Sequence, residues 1–173
     1  FSDTETSTGN TFAAGTLDLK VDGKDTEIYH FNETNLSPGY SFRRVFKLKN
    51  AGTINAKPKI CLVNLQNTES TGTTEYENDG TPGELGDNAN LIVDTNGAWL
   101  MTSGNSINSF SNRCWTPDDP QDAEFKVPGN GSDVISPDEV MNFGVRLDIP
   151  TTVGNSIQGD GLSFDLTFTF DQV

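Results

Sequence analysis

Two stretches near the end of the chain alternate strictly between apolar and polar positions. Met141, Phe143, Val145, Leu147 and Ile149 alternate with Asn142, Gly144, Arg146 and Asp148. Leu162, Phe164, Leu166, Phe168 and Phe170 alternate with Ser163, Asp165, Thr167, Thr169 and Asp171. A period of two places every apolar side chain on one face, so both predict strands that cover a core on one side only. Phe42, Phe46 and Leu48 oppose Arg43, Lys47 and Lys49 in the same way, except that Arg44 falls on the apolar parity and Val45 on the basic one. Ile60–Leu65 is apolar on both parities, as a strand covered on two sides would be. From Phe12 the alternation runs through Leu17, Leu19 and Val21. The Asp22-Gly23 turn signal then predicts a hairpin of Thr16–Val21 with Thr26–Phe31.

The middle of the chain reads differently. Gln66–Asn88 is rich in Thr, Gly and Glu and reads as loop, and Ser103–Asp122 is irregular. Ala89–Val93 and Ala98–Met101 are compatible with short strands or a helical turn, and Glu124–Val127 predicts a short strand. The expected fold class is all-β: two packed antiparallel sheets in a single sandwich domain over 11–173, with an irregular insertion at about 66–133. Residues 1–10 form a polar N-terminal arm whose one large apolar residue is Phe1, which reads as an end left by a processing peptidase.

Composition sharpens this picture. With 173 residues the chain is long enough for one domain with a core, and a hydrophobic content of 33% favours strands with generous loops. No apolar run approaches the roughly 18 residues of a membrane span. A net charge of −14 argues against nucleic acid and anionic membranes as partners. Arg43, Arg44, Lys47, Lys49, Lys57 and Lys59 follow one another without an acid, whereas 60–112 holds seven acids and no Lys or Arg. That polarity suggests a basic face, carried by Arg43, Lys47, Lys49, Lys57 and Lys59, that meets an acidic face on the next copy. Cys61 and Cys114 are candidates for a disulfide in an exported chain. Asn32, Asn35 and Asn130 each open an Asn-x-Ser/Thr acceptor triplet.

Catalytic constellations are not recognisable. The single His30 forms no His-x-x-x-His pair, and neither a nucleophile elbow nor a phosphate loop occurs. Glu75-Tyr-Glu77-Asn-Asp79-Gly80 resembles a calcium loop, but its twelfth position would be Gly86 instead of Glu. Asp118, Asp119 and Asp122 read as solvated loop acids. The expectation is no enzyme, no cofactor and no metal site.

Three segments carry a resemblance. Phe1-Ser-Asp with Thr11-Phe-Ala-Ala-Gly-Thr-Leu-Asp-Leu, Leu36-Ser-Pro-Gly-Tyr-Ser-Phe with Phe46-Lys-Leu-Lys-Asn-Ala-Gly-Thr-Ile-Asn-Ala-Lys57, and Asn155-Ser-Ile-Gln-Gly-Asp160 with Phe164-Asp-Leu-Thr-Phe-Thr-Phe-Asp-Gln172 are together similar to the TasA/camelysin family. The resemblance implies a jelly-roll-like sandwich, export through a cleaved signal peptide, and assembly into extracellular filaments of a biofilm matrix or cell surface. It also implies that the arm of one subunit completes a sheet of the next. Here that donor strand would be Phe1, Ser2, Asp3, Thr4, Glu5, Thr6, Ser7 and Thr8, with Ser2, Thr4, Thr6 and Thr8 expected to point inward. The partner is then the chain itself, with lateral bundling of filaments as a further contact. Two other readings stand beside this one: a secreted camelysin-type peptidase, and a monomeric adhesin or sugar-binding sandwich using Tyr76, Trp99 and Trp115.

Overall fold

The alternating stretches become the strands that organise the molecule. In a computed structural model, residues 15–25, 28–69, 83–99, 105–122, 125, 132–157 and 159–173 are described. Among them run β1 (Leu19–Val21), β2 (Ile28–Thr34), β3 (Ser41–Asn50), β4 (Ala56–Thr68), α1 (Leu85–Asn88), β5 (Asn90–Thr95), β6 (Ala98–Trp99), β7 (Cys114–Trp115), β8 (Val140–Asp148) and β9 (Gly161–Gln172). They form two antiparallel sheets in the orders β1-β3-β8-β5-β6 and β2-β9-β4-β7. The fold is an all-β sandwich, and the two clean alternations supply interior strands of both sheets, β8 and β9.

The core lies between the sheets. Phe46, Leu48, Met141, Phe143, Val145 and Leu147 face it from one side, and Phe31, Ile60, Leu62, Phe164, Leu166 and Phe168 from the other. Aromatic rings join the layers edge to face, with Tyr29 5.1 Å from Phe46 and Phe31 5.3 Å from Phe42. Such pairs contribute about 0.5–1.5 kcal/mol beyond the area they bury.

Several sequence expectations change here. The Asp22-Gly23 turn forms, with φ of 52° and 78°, yet β1 and β2 are not a hairpin. After the turn the chain crosses to the opposite sheet, because β1 pairs with β3 and β2 with β9. The outer side of Ile60–Leu65 is only half-buried, since Cys61 and Val63 face outward beside the short β7, while the bulge after Val63 returns Leu65 to the core side. Ala89–Val93 resolves to strand, and β5 pairs with β8 along its whole length. The middle of the chain thus supplies part of the core, including Leu85, Leu91, Val93, Ile107 and Phe110. Phe125 is buried but not in a strand, and the rest of 124–127, together with residues 1–14 and so the whole arm 1–10, lie outside the described residues.

Candidate functional site

One flank of the sandwich is left open by the topology. β1 covers β3 only from Asn50 back to Leu48, and a last pair of bonds joins Asp22 N–H to the Lys47 carbonyl and Lys47 N–H to the Asp22 carboxylate. Because the chain then turns away at Gly23, nothing among the described residues pairs with Ser41–Phe46 on that side. Antiparallel pairing alternates the direction of the backbone groups. Lys47 points its groups away from β8, so Val45, Arg43 and Ser41 do the same. Their N–H and C=O groups face the open flank, an acceptor template for an added strand. The other wall of the flank is β2, the edge strand of the second sheet.

Arg44 explains itself here. Its parity turns it between the inward Phe42 and Phe46, and its guanidinium reaches the rim instead of the core. The guanidinium carbon lies 4.6 Å from the Tyr29 ring centre and 4.9 Å from that of Phe46. One Nη donates to the Asp22 carboxylate at 3.2 Å, while the side chain stays 42% exposed. Beside it opens a cavity of about 120 Å³ bordered by Val21, Ile28, Tyr29, Phe46 and Phe168. Ile28 at 45% and Val45 at 39% are among the most exposed large apolar residues.

The basic segment is divided by the fold. Arg43, Lys47 and Lys49 lie on the outer side of β3, whereas Lys57 and Lys59 lie on β4 in the opposite sheet, so the five do not make one face. Three of them are matched within the subunit: Arg43 with Asp94 at 3.3 Å, Lys49 with Asp138 at 2.8 Å and Lys57 with Asp118 at 2.5 Å. The loop acids are matched too, since Arg113 holds Asp119 at 3.2 Å and Asp122 at 2.7 Å. Burial nevertheless raises the Asp122 pKa, with the Thr116 amide and Arg113 opposing it. Cys61 and Cys114, opposite each other on β4 and β7, are bridged with an S–S distance of 2.06 Å. Asn32 and Asn35 are exposed, and Asn130 lies outside the described residues. Trp115 is wholly buried against Phe110 and Phe143, so it offers no platform to a sugar.

Two groups of polar residues remain. On the outer side of the second sheet, His30 Nδ1 meets Asp165 at 2.6 Å, and Asn64, at the bulge of β4, donates to the same carboxylate at 2.7 Å. The Asn64 hydrogen bond first, and His30 second, hold the Asp165 carboxyl below its ordinary range. At one end of the sandwich, Glu69, Glu84 and Asp160 bring carboxylate oxygens within 4.8 Å of one another. Thr68–Gly161 pairing brings the ends of β4 and β9 together there, and Glu69 accepts the Gly83 N–H at 2.9 Å.

Compared with known families, residues 1–101, more than half of the chain, match the family described as camelysin metallo-endopeptidase. The chain belongs to the camelysin family. Comparison with curated proteins yields no match. Membership makes this a surface or extracellular protein. It also overturns the expectation of no enzyme, because the family is named for a metallo-endopeptidase. Sequence spacing missed this, since the activity is attached to the family and not to a zinc motif legible in the chain.

The donor chemistry tests which metal the camelysin-family chain suits. Glu69, Glu84 and Asp160 offer oxygen alone, a set for a hard cation such as calcium, magnesium or manganese. Hydrolytic zinc centres place histidine among three protein ligands. The only histidine, His30, sits with Asp165 on the outer side of the second sheet, five residues further along the chain than Asp160. This group does not fit a hydrolytic zinc centre, and no catalytic step follows from it.

Proposed function

We propose that this surface protein of the camelysin family is a filament subunit, in which the open edge of β3 receives the N-terminal arm, Phe1–Thr8, of the next copy. The observation that supports it most is the placement of the two ends of the contact. The described chain begins at Gly15 and Thr16, which pack beside Gly52–Ile54, past the C-terminal end of β3. The open edge occupies the N-terminal half of the same strand. Donor root and acceptor edge are therefore at opposite ends, and a contact joining unlike surfaces propagates head to tail instead of closing a pair. Eight extended residues reach roughly 26–29 Å, enough to lie along Ser41–Phe46 of a neighbour.

Backbone hydrogen bonds of about 0.5–1.5 kcal/mol each supply the hold, so several must form together. Removing residues 1–8 is expected to leave a folded sandwich, judged by circular dichroism, that forms no filaments in electron micrographs. Filaments of normal appearance from that variant would rule out strand donation.

The family match favours a second reading, a surface metallo-endopeptidase. Cleavage of an unfolded protein substrate by the pure chain, lost with a chelator and regained with added metal, supports that reading, and its absence counts against it.

A further inference from the structure

We infer that Arg44 is the specificity-determining residue of the open edge, reading a carboxylate on the incoming arm of a second copy. The inference rests on the strand-donation reading and adds to it which side chains recognise each other. Position 44 belongs to the inner parity of β3, where Phe46, Leu48 and Asn50 are buried. A strand laid along Ser41–Phe46 would bring its own inward side chains against Arg44, Tyr29 and the cavity beside them. An apolar strand would desolvate the guanidinium there with Asp22 as its one carboxylate partner and its remaining donors unpaired, which is costly. A strand with a carboxylate at that point would pair with it, and the guanidinium retains donors beyond the one given to Asp22. The same cation thus discourages foreign apolar strands and admits an acidic one.

The arm has the matching chemistry. Residues 1–19 carry Asp3, Glu5 and Asp18 and no Lys or Arg. Asp3 and Glu5 are two apart, so in a strand they share a face with Phe1 and Ser7. Recognition by Arg44 turns that face inward, with Phe1 toward the aromatic wall, and reverses the Thr-inward arrangement expected from the sequence. Pairing with one cation limits the register to two, with Asp3 or with Glu5 opposite Arg44. Lys47, on the outer side of the same strand, adds an attractive field for the same segment.

The test uses full-length variants, with circular dichroism and melting temperature as controls of folding. Filaments are followed by light scattering and electron microscopy. Arg44→Gln is expected to raise the concentration needed for assembly about tenfold, the scale of one charge-assisted hydrogen bond. Arg44→Glu alone, and Asp3→Lys with Glu5→Lys, should each abolish assembly, while the three changes combined should restore it. Folded Arg44→Glu protein that assembles like wild type, or a folded triple variant that stays monomeric, would overturn the inference and leave strand donation standing. Wild-type chain whose assembly does not depend on residues 1–8 overturns the parent reading itself. Charge rescue seen only in the melting temperature of monomers places the arm on its own edge, and overturns recognition between copies.

Discussion

At the residue scale, the outer His30–Asp165–Asn64 group links pH to stability. The folded pKa of Asp165 is lowered from its ordinary 3.8, so the folded state binds this proton less readily than the unfolded chain. Its contribution is therefore complete above about pH 4 and is lost as pH falls through the lowered folded value. Asp165→Asn should cost about 1 kcal/mol at neutral pH, as partly exposed pairs do. The difference in melting temperature from wild type should shrink toward about pH 2. A difference that stays constant across that range would contradict the assignment. Inside the sandwich, Trp115 has no solvent contact, and its indole Nε1 has no hydrogen-bond partner among the described residues. Trp115→Ala should cost about 3–5 kcal/mol in denaturant unfolding, as loss of a buried aromatic does. Trp115→Phe should cost clearly less, because it keeps a ring there and removes the unpaired donor.

At the element scale, β7 is two residues long and pairs with β4 only at Ile60 and Cys61, so contacts beyond the ladder help hold it. The Cys61–Cys114 bridge closes a loop with a sequence separation of 53. Constraint of the unfolded chain by a loop of that length is worth about 4 kcal/mol on the chain-entropy estimate. The double Cys→Ala variant should lose up to that amount of unfolding free energy while retaining the β spectrum. Next to it, Arg113 matches the buried Asp122 carboxylate. Arg113→Ala leaves that charge without its cation and should cost about 3 kcal/mol. The edge of β3 allows the opposite kind of change. Val45 turns its N–H to the open flank, so Val45→Pro removes no bond to β8 and is expected to leave a folded monomer. It should nonetheless block strand addition, read as loss of filaments with an unchanged melting temperature.

At the scale of the whole molecule, the proposed strand donation uses separate donor and acceptor surfaces, and this gives a test that no single variant provides. On that proposal a chain lacking residues 1–8 would accept but not donate, and Val45→Pro would donate but not accept. Neither should polymerise alone, and an equal mixture should stop at dimers in sedimentation velocity. Filaments from the mixture, or no association at all, would contradict head-to-tail strand donation. The net charge of −14 makes copies repel overall, so the proposed contact would depend on local complementarity at the edge. The ion pairs of Arg43, Lys49 and Lys57 are internal and so is that of Arg44 with Asp22, but the Arg44 guanidinium stays 42% exposed at the edge and keeps donors for the proposed arm contact.

The long strands β3, β4, β8 and β9, the aromatic residues they turn inward and the Asp22-Gly23 turn were legible in the sequence, because a period of two and turn chemistry are local properties. By contrast, β7 falls in a stretch of the sequence that reads as irregular, and β5 and β6 are compatible there with strand or helical turn. Even the odd parity of Arg44 was visible there as a defect in an alternation. What that defect meant was not. Which sheet each strand joins depends on pairing between residues far apart, such as Asn50 with Leu19 and Phe31 with Phe164. The turn at Gly23 looked like a hairpin locally, and only the competition for β3 and β9 sent its two arms to different sheets. Likewise the run of cations from Arg43 to Lys59 reads as one patch along the chain, but β3 and β4 present it on opposite sides of a sandwich. The open stretch of β3, the stacking of Arg44 on Tyr29 and the meeting of Glu69, Glu84 and Asp160 all arise where distant segments converge. Sequence period fixes which way a side chain points, and tertiary pairing alone decides what it points at.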